Sequence, residues 1–350
     1  MLSNFKKICV HRFLWVMLCL WWSVGGVGCD NQPNRSPEIS FYHWKTSFQP
    51  SEKAQLYIKK LQVKRLYVRI FDVDWREGQA VPVADLMWKD TLSAYTIIPV
   101  VFITNRTIKS IEEKEIPMLA QQIAKRIRKQ AERHQLSLEE VQFDCDWSET
   151  TGEKFFTLLK QLRIYLPEGI ALSATIRLHQ LKYTYQTGVP PVDRGVLMFY
   201  NMGNLDGSNT QNSILDLDIA AAYLKGVTTY PLPLDFALPI YQWLVVKRRT
   251  RIVHLINDVA LATLANSKNF QQTGARQFTV SKSHYFRSVY LYKGDELRVE
   301  GVSLVQLQKA AEMLAPLVNH TPPRVIFYHL ENTHLKQFTP NEFQKLVEVF

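Results

Sequence analysis

Cysteine is scarce in this chain, with four in 350 residues, at positions 9, 19, 29 and 145. Cys9 and Cys19 lie in a segment that reads as a removable leader, which leaves Cys29 and Cys145 and excludes a disulfide framework. The apolar run "FLWVMLCLWW" at 13–22 is too short to persist as a membrane anchor. No strand-to-helix turn carries a glycine-rich phosphate loop and no Gly-x-Ser-x-Gly elbow occurs, so neither nucleotide chemistry nor serine hydrolysis has support. His43, His179 and His329 are scattered without metal-ligand spacing, and neither a metal nor another cofactor is expected. Lys and Arg number 42 against 32 Asp and Glu. The excess is spread in short clusters such as "KRIRK" and "VVKRRTR" rather than along a stripe with a recognisable module. A nucleic-acid partner is therefore not expected, and solvated helix faces or proximity to anionic lipid or glycan account for the charge.

What is present begins with the leader. Lys6, Lys7 and Arg12, then the apolar run, then the small residues of "SVGGVGC" have the order of a secretory signal over residues 1–28. Cleavage before Cys29 would expose a cysteine for lipid attachment. "GVGC" resembles a bacterial lipobox, although it departs from the usual Leu-Ala/Ser-Gly/Ala-Cys. The expected partner is thus a membrane, reached through acyl chains at Cys29, on the periplasmic or surface face of the cell envelope. Residues 29–38 have almost no apolar content and read as a tether. Loss of residues 1–28 removes three basic residues and no acid, leaving 39 basic against 32 acidic, or +7.

The remaining chain, 39–350, carries eight strand-like runs that are nearly continuously apolar: "ISFYHW" from 39, "RLYVRIFDVDW" from 65, "TIIPVVFI" from 96, "VQFDCDW" from 141, "ALSATIR" from 171, "GVLMFYNMG" from 195, "YPLPLDFALP" from 230 and "RVIFYHLE" from 324. Such runs indicate a sheet covered on both faces. Amphipathic helical patterns cover 112–135 and 152–165, the second introduced by Thr150 and Glu153 at capping-box spacing, with others at 51–61, 213–224 and 303–317. The expected fold is α/β, a (β/α)8 TIM-type barrel, with an open doubly wound sheet as the alternative. Pro231 and Pro233 would each remove a ladder donor, which moves the start of the seventh strand to about Leu234. β-rich pieces between the seventh and eighth strands predict a small α+β insertion at about 241–300.

In a barrel the carboxyl ends of the strands carry the chemistry. Period two along "VQFDCDW" puts Gln142, Asp144 and Asp146 on one face, toward the mouth, and Phe143, Cys145 and Trp147 on the helical side. Neighbouring carboxylates raise one another's proton affinity, which can make one an acid at neutral pH. Asp72 and Asp74 share a face of the second strand, where an ion-pair network with Arg69 or Arg177 is the competing reading. Arg177 and His179 end the fifth strand, Tyr200 and Asn201 the sixth. His43 and Trp44 end the first strand, Asp235 follows the prolines, and Tyr328 and Glu331 end the last. Acids, one basic group and aromatic rings converging on a mouth suit a polyhydroxylated ligand, a glycan.

These strand ends resemble the chitinase-type family 18 glycoside hydrolases, whose fourth strand carries Asp-x-x-Asp-x-Asp-x-Glu and whose sixth carries Met-x-Tyr-Asp. Here "DCDW" matches the Asp-x-Asp core and "MFYN" matches Met-x-Tyr, with Asn201 in the last place. "LSATIRLHQ", "VPPVDRG" and "FYNMG" also resemble bacterial envelope lipoproteins of Bacteroidetes type. The family 18 resemblance implies hydrolysis of N-acetylhexosamine glycans assisted by the substrate's acetamido group. Glu149 would be the acid, Asp146 its partner and orienter of the acetamido group, Asp144 an electrostatic tuner and Tyr200 a hydrogen-bond donor. The pattern breaks where it matters most: its acid would fall on Ser148, and Glu149 is one residue late. A non-catalytic glycan-binding or structural envelope lipoprotein is the alternative.

Overall fold

A computed structural model describes residues 36–89, 95–207, 210–320 and 322–350; the expected leader, Cys29 and most of the tether lie outside the described residues. From Pro37 on the chain is one compact unit. Eight parallel strands form its centre: β1 Glu38–His43, β2 Arg65–Arg76, β3 Thr96–Ile103, β4 Glu140–Asp144, β5 Ala171–Arg177, β6 Arg194–Met198, β7 Leu234–Pro239 and β8 Arg324–Tyr328. Each pairs with its neighbours in chain order, and β1 pairs with both β2 and β8, which closes the barrel. The open-sheet alternative is thereby excluded. Because Pro233 keeps its carbonyl, which accepts from the Gly195 N–H at 2.9 Å, β7 can start directly after it at Leu234.

Period two and a helical coat explain which residues are buried. Phe143, Cys145 and Trp147 are fully buried on the outer side of β4, and the Trp147 ring stacks on Phe155 with centroids 5.4 Å apart. Phe155 belongs to the helix Gly152–Tyr165, whose Leu158, Leu159 and Leu162 are also fully buried. Removing a side chain of this kind from a packed core typically costs about 3–5 kcal/mol. The N-cap expected at Thr150 falls instead on Thr151, with no capping bond from its side chain. Its hydroxyl is already engaged, accepting from the Ser148 N–H at 2.9 Å and donating to Asn105 Oδ1 at 2.8 Å. Helices Glu52–Lys60 and Leu304–Leu314 start at Ser51 and Ser303, whose hydroxyls accept from the third residue onward.

Inside the barrel the layers are polar. At the amino end, Glu140 accepts from Arg324 and, at 2.6 Å, from Ser173, while Arg324 also donates to the Tyr67 hydroxyl at 2.7 Å. One layer up, Tyr42 donates to Gln142 at 2.7 Å. Between β7 and β8 a separate antiparallel sheet runs Arg251–Asn257, Trp243–Arg248, Glu296–Glu300, Gln277–Val280 and Phe270–Gly274 in spatial order. It has its own apolar core, including Leu244, Val246, Phe278, Leu291 and Val299. Gly294 in the Lys-Gly-Asp turn has φ +90°, a left-handed conformation that glycine adopts without a Cβ clash. Among the described residues no helix is long and apolar enough to cross a membrane.

Candidate functional site at the barrel mouth

The carboxyl ends of β4, β5 and β6 enclose a cleft of about 370 Å³ lined by Asp146, Arg177, Leu178, His179, Met198, Tyr200, Asn201, Met202 and Tyr223. Its polar centre is an ion pair in which the Arg177 guanidinium donates through Nε and Nη2 to the two oxygens of Asp146, the second at 3.1 Å. Burial opposes the charge on Arg177, but the carboxylates of Asp146 and Asp144 outweigh it and hold the guanidinium above its ordinary proton affinity. Beneath the pair, Asp144 is buried and accepts from the Thr175 hydroxyl at 2.6 Å. Burial pushes its pKa up to about 6; Arg177 pulls it down and Asp146 pushes it up. Asp144 therefore exchanges a proton close to neutral pH. Burial lowers the proton affinity of His179, against the pull of Asp146.

Aromatic rings form the rest of the mouth. Tyr328 at the end of β8 lies 5.2 Å from Tyr200, 5.5 Å from Tyr241 and 5.8 Å from Trp44, centroid to centroid, and the Tyr328–His329 peptide is cis. Tyr241 donates to Asn201 Oδ1, and Asn201 takes φ +53°, a conformation asparagine tolerates better than most residues. On the β2 side the Arg69 guanidinium sits 5.4 Å over the Trp44 ring and 3.5 Å from Asp72. The other Asp72 oxygen is buried without a hydrogen-bond partner among the described residues. Burial raises the proton affinity of Asp72, Arg69 lowers it and Asp74 raises it.

Several residues expected in the mouth are engaged elsewhere. Asp235 is the second residue of β7, so it lies at the amino end of the barrel, fully buried between Arg194 at 2.6 Å, His320 at 3.1 Å and the Arg324 N–H at 2.9 Å. Asp74 is clamped by Arg106 and by the Thr104 hydroxyl at 3.0 Å, and those bonds hold its carboxyl well below the usual range. This is an ion-pair network, with Arg106 in place of the expected Arg69 or Arg177. His43 is buried against Phe48 with Nε2 2.9 Å from the Ser47 carbonyl, and burial lowers its pKa to about 4. Glu331 caps the helix Asn332–Leu335 and pairs with Lys45. All four are engaged in bonds within the fold, and none lines the cleft.

Glu149 is exposed in the turn after β4 and is not among the residues that line the cleft. The position two after Asp146, Ser148, belongs to a hydroxyl cluster with Thr150 at 3.1 Å and Thr151 at 3.2 Å. The sequence names Arg69 only as a partner for Asp72 and Asp74 and points to none of Phe102, Tyr223 and Tyr241; the Phe102 ring lies 6.4 Å from that of Trp44, centroid to centroid. Arg69 and Phe102 lie on the inward period of strands already recognised, a signal that was there; Tyr223 and Tyr241 reach the mouth from beyond the strand ends. Among the described residues no group of three His, Cys, Asp or Glu side chains is arranged to hold a metal ion.

A scan against protein-family models finds no match, and a comparison with curated proteins finds none. Solved structures do match. The spore cortex-lytic enzyme SleL of Bacillus cereus is 17% identical over 90% of this chain and 75% of its own, with a TM-score of 0.52. The chitinase of Chromobacterium violaceum is 11% identical over 89% of this chain and 98% of its own, with a TM-score of 0.54. SleL of Bacillus megaterium is 13% identical over 91% of this chain and 75% of its own, at 0.53. The chain thus has the barrel fold of chitinase-like glycoside hydrolases, and its resemblance to family 18 is remote and carried by that fold.

Proposed function

We propose that the barrel mouth binds a glycan containing N-acetylhexosamine, that it does so without cutting the glycan, and that a lipid at Cys29 holds the protein in the cell envelope. One observation carries the binding reading: a cleft at the carboxyl ends of β4 to β6 combines an Asp146–Arg177 pair with Tyr200, Asn201 and Tyr223. The partly exposed Tyr223 ring offers a flat apolar face to a sugar ring, while Asn201, Arg177 and the outer edge of Asp146 can exchange hydrogen bonds with its hydroxyls and acetamido group. The chitinase and cortex-lytic enzymes among the similar structures support a glycan as the ligand class.

The loss of catalysis rests on the turn after β4. A general acid must lie within hydrogen-bond reach of the glycosidic oxygen. Ser148 has no carboxyl, and Glu149 is exposed outside the cleft lining. A second reading is hydrolysis with Glu149 as acid, Asp146 as its partner, Asp144 as tuner and Tyr200 as donor. The raised proton affinity of Asp144 beneath Asp146 favours it, since that arrangement tunes a carboxylate pair. Incubation with a panel of N-acetylhexosamine oligosaccharides separates the two. Binding without release of new reducing ends supports the first; release that disappears in Glu149→Gln and in Asp146→Asn supports the second. Metabolic labelling with palmitate tests the anchor: the wild type is expected to take up label and Cys29→Ser to lose it.

A further inference from the structure

Residues 281–293, "SKSHYFRSVYLYK", contain three tyrosines, two lysines, one arginine and one histidine, and no acidic residue. They form a hairpin of His284–Phe286 and Val289–Leu291 on the lobe inserted after β7. Its inner side is explained by packing, because Leu291 is fully buried in the lobe core and Phe286 and Val289 lie against it. Its outer side is not. Tyr285, Tyr290 and Tyr292 are 74%, 38% and 50% exposed, and their rings pack edge to face in sequence with successive centroids 4.9 Å apart. Large rings in a row on a solvated hairpin expose apolar area that the described chain covers in part, where the Arg248 guanidinium lies 4.2 Å from the Tyr292 ring centroid, and otherwise leaves to solvent.

The charge around them is one-sided. Residues 241–300 hold ten Lys and Arg against four Asp and Glu. Three of those acids are occupied, Asp258 by His334, Asp295 by Arg248 and Glu300 by Arg298. Lys282 and Lys293 are exposed and form no ion pair with a described residue. Arg287 donates to two backbone carbonyls, of Asn257 and Asp258, which leaves its charge unbalanced.

We propose that this hairpin is a second binding surface, separate from the cleft, for an acidic polysaccharide. Tyrosine faces would carry the sugar rings, and Lys282, Lys293 and Arg287 would meet the carboxylate, sulfate or phosphate groups. An anionic membrane shares the charge requirement but needs side chains that insert among acyl chains. The exposed large hydrophobic residues of the hairpin are tyrosines alone, each with a hydroxyl. The polysaccharide is the better fit.

The test is binding of the full chain in detergent to polygalacturonate, to neutral dextran and to phosphatidylglycerol vesicles. Polygalacturonate is expected to bind and dextran not. Affinity for polygalacturonate should fall tenfold or more in Tyr290→Ala/Tyr292→Ala, fall several-fold in Lys282→Glu/Lys293→Glu, and weaken with salt. The cleft variant Arg177→Ala should retain it, which keeps this surface distinguishable from the cleft. The four hairpin side chains changed are exposed, and an unchanged melting temperature would confirm that the hairpin variants fold. No binding of polygalacturonate, binding unaffected by the tyrosine changes, loss in Arg177→Ala, or tighter binding to the vesicles would each overturn the proposal.

Discussion

Two ends of one barrel use the same chemistry to opposite ends. At the amino end, Glu140 with Arg324 and Asp235 with Arg194 are carboxylate–guanidinium pairs whose carboxylates are buried, and each carboxylate has at least two partners. At the carboxyl end, Asp146 with Arg177 and Asp72 with Arg69 are also pairs, but Asp146 is half exposed and one Asp72 oxygen has no partner among the described residues. A polar barrel interior is thus no evidence of a site by itself. Unpartnered buried atoms do not separate the ends, since Glu38 Oε1 and His320 Nδ1 at the amino end also lack a described partner; an exposed carboxylate beside a cleft, Asp146, is what sets the mouth apart.

The comparison can be broken first at its closed end. Asp235→Ala leaves Arg194 and His320 facing an empty buried position and should cost about 3–5 kcal/mol in chemical denaturation, as expected for one partner lost from a buried pair. A loss below about 1 kcal/mol would mean the amino end is not sealed.

The two ends should also answer pH with opposite signs. Asp144 has a raised pKa, about 6 when folded, so the folded state holds more protons and stability falls as pH rises from about 4, the unfolded value, through about 6. Asp235 has a lowered pKa, because its partners outweigh burial, so its contribution is present above about 4 and is lost as pH falls through the depressed value. Melting curves of Asp144→Asn should therefore gain on the wild type as pH rises from 4 to 7, whereas those of Asp235→Asn should fall behind it as pH rises toward 4 and run parallel to it above that. The same slope in both variants would contradict the assignment.

A smaller effect sharpens the open end. Arg177→Ala should lower glycan affinity about tenfold, roughly 1.4 kcal/mol, while changing stability by about 1 kcal/mol or less, because its partner Asp146 is half exposed. The smallest is Glu149→Gln, expected to leave both affinity and stability within about 0.5 kcal/mol, since the side chain is exposed and outside the cleft lining. Isothermal titration checks both, and a loss of affinity in Glu149→Gln would return that residue to the site.

Much of this was legible in the residues. The eight barrel strands follow the β-branched and aromatic runs, and the prolines at 231 and 233 mark where β7 starts. The inward face of β4 follows from alternation, which placed Asp144 and Asp146 correctly. The same reasoning could have placed Asp235: a residue directly after the start of a strand belongs to the amino end, not the mouth. What alternation cannot supply is the partner. Asp74 finds Arg106, 32 positions on, because both flank the mouth ends of adjacent strands, and His43 turns back to Ser47 within its own loop. Tyr241 reaches Asn201 only once the chain beyond β7 folds over the mouth.

The most direct measurement is titration of the wild type and Arg177→Ala with an N-acetylglucosamine oligosaccharide, followed by product analysis of the same samples. Binding by the wild type, weakened in Arg177→Ala and with the oligosaccharide recovered intact, is the predicted result. Absence of binding, or shorter products that vanish in Glu149→Gln, would contradict a mouth that holds a glycan without cutting it.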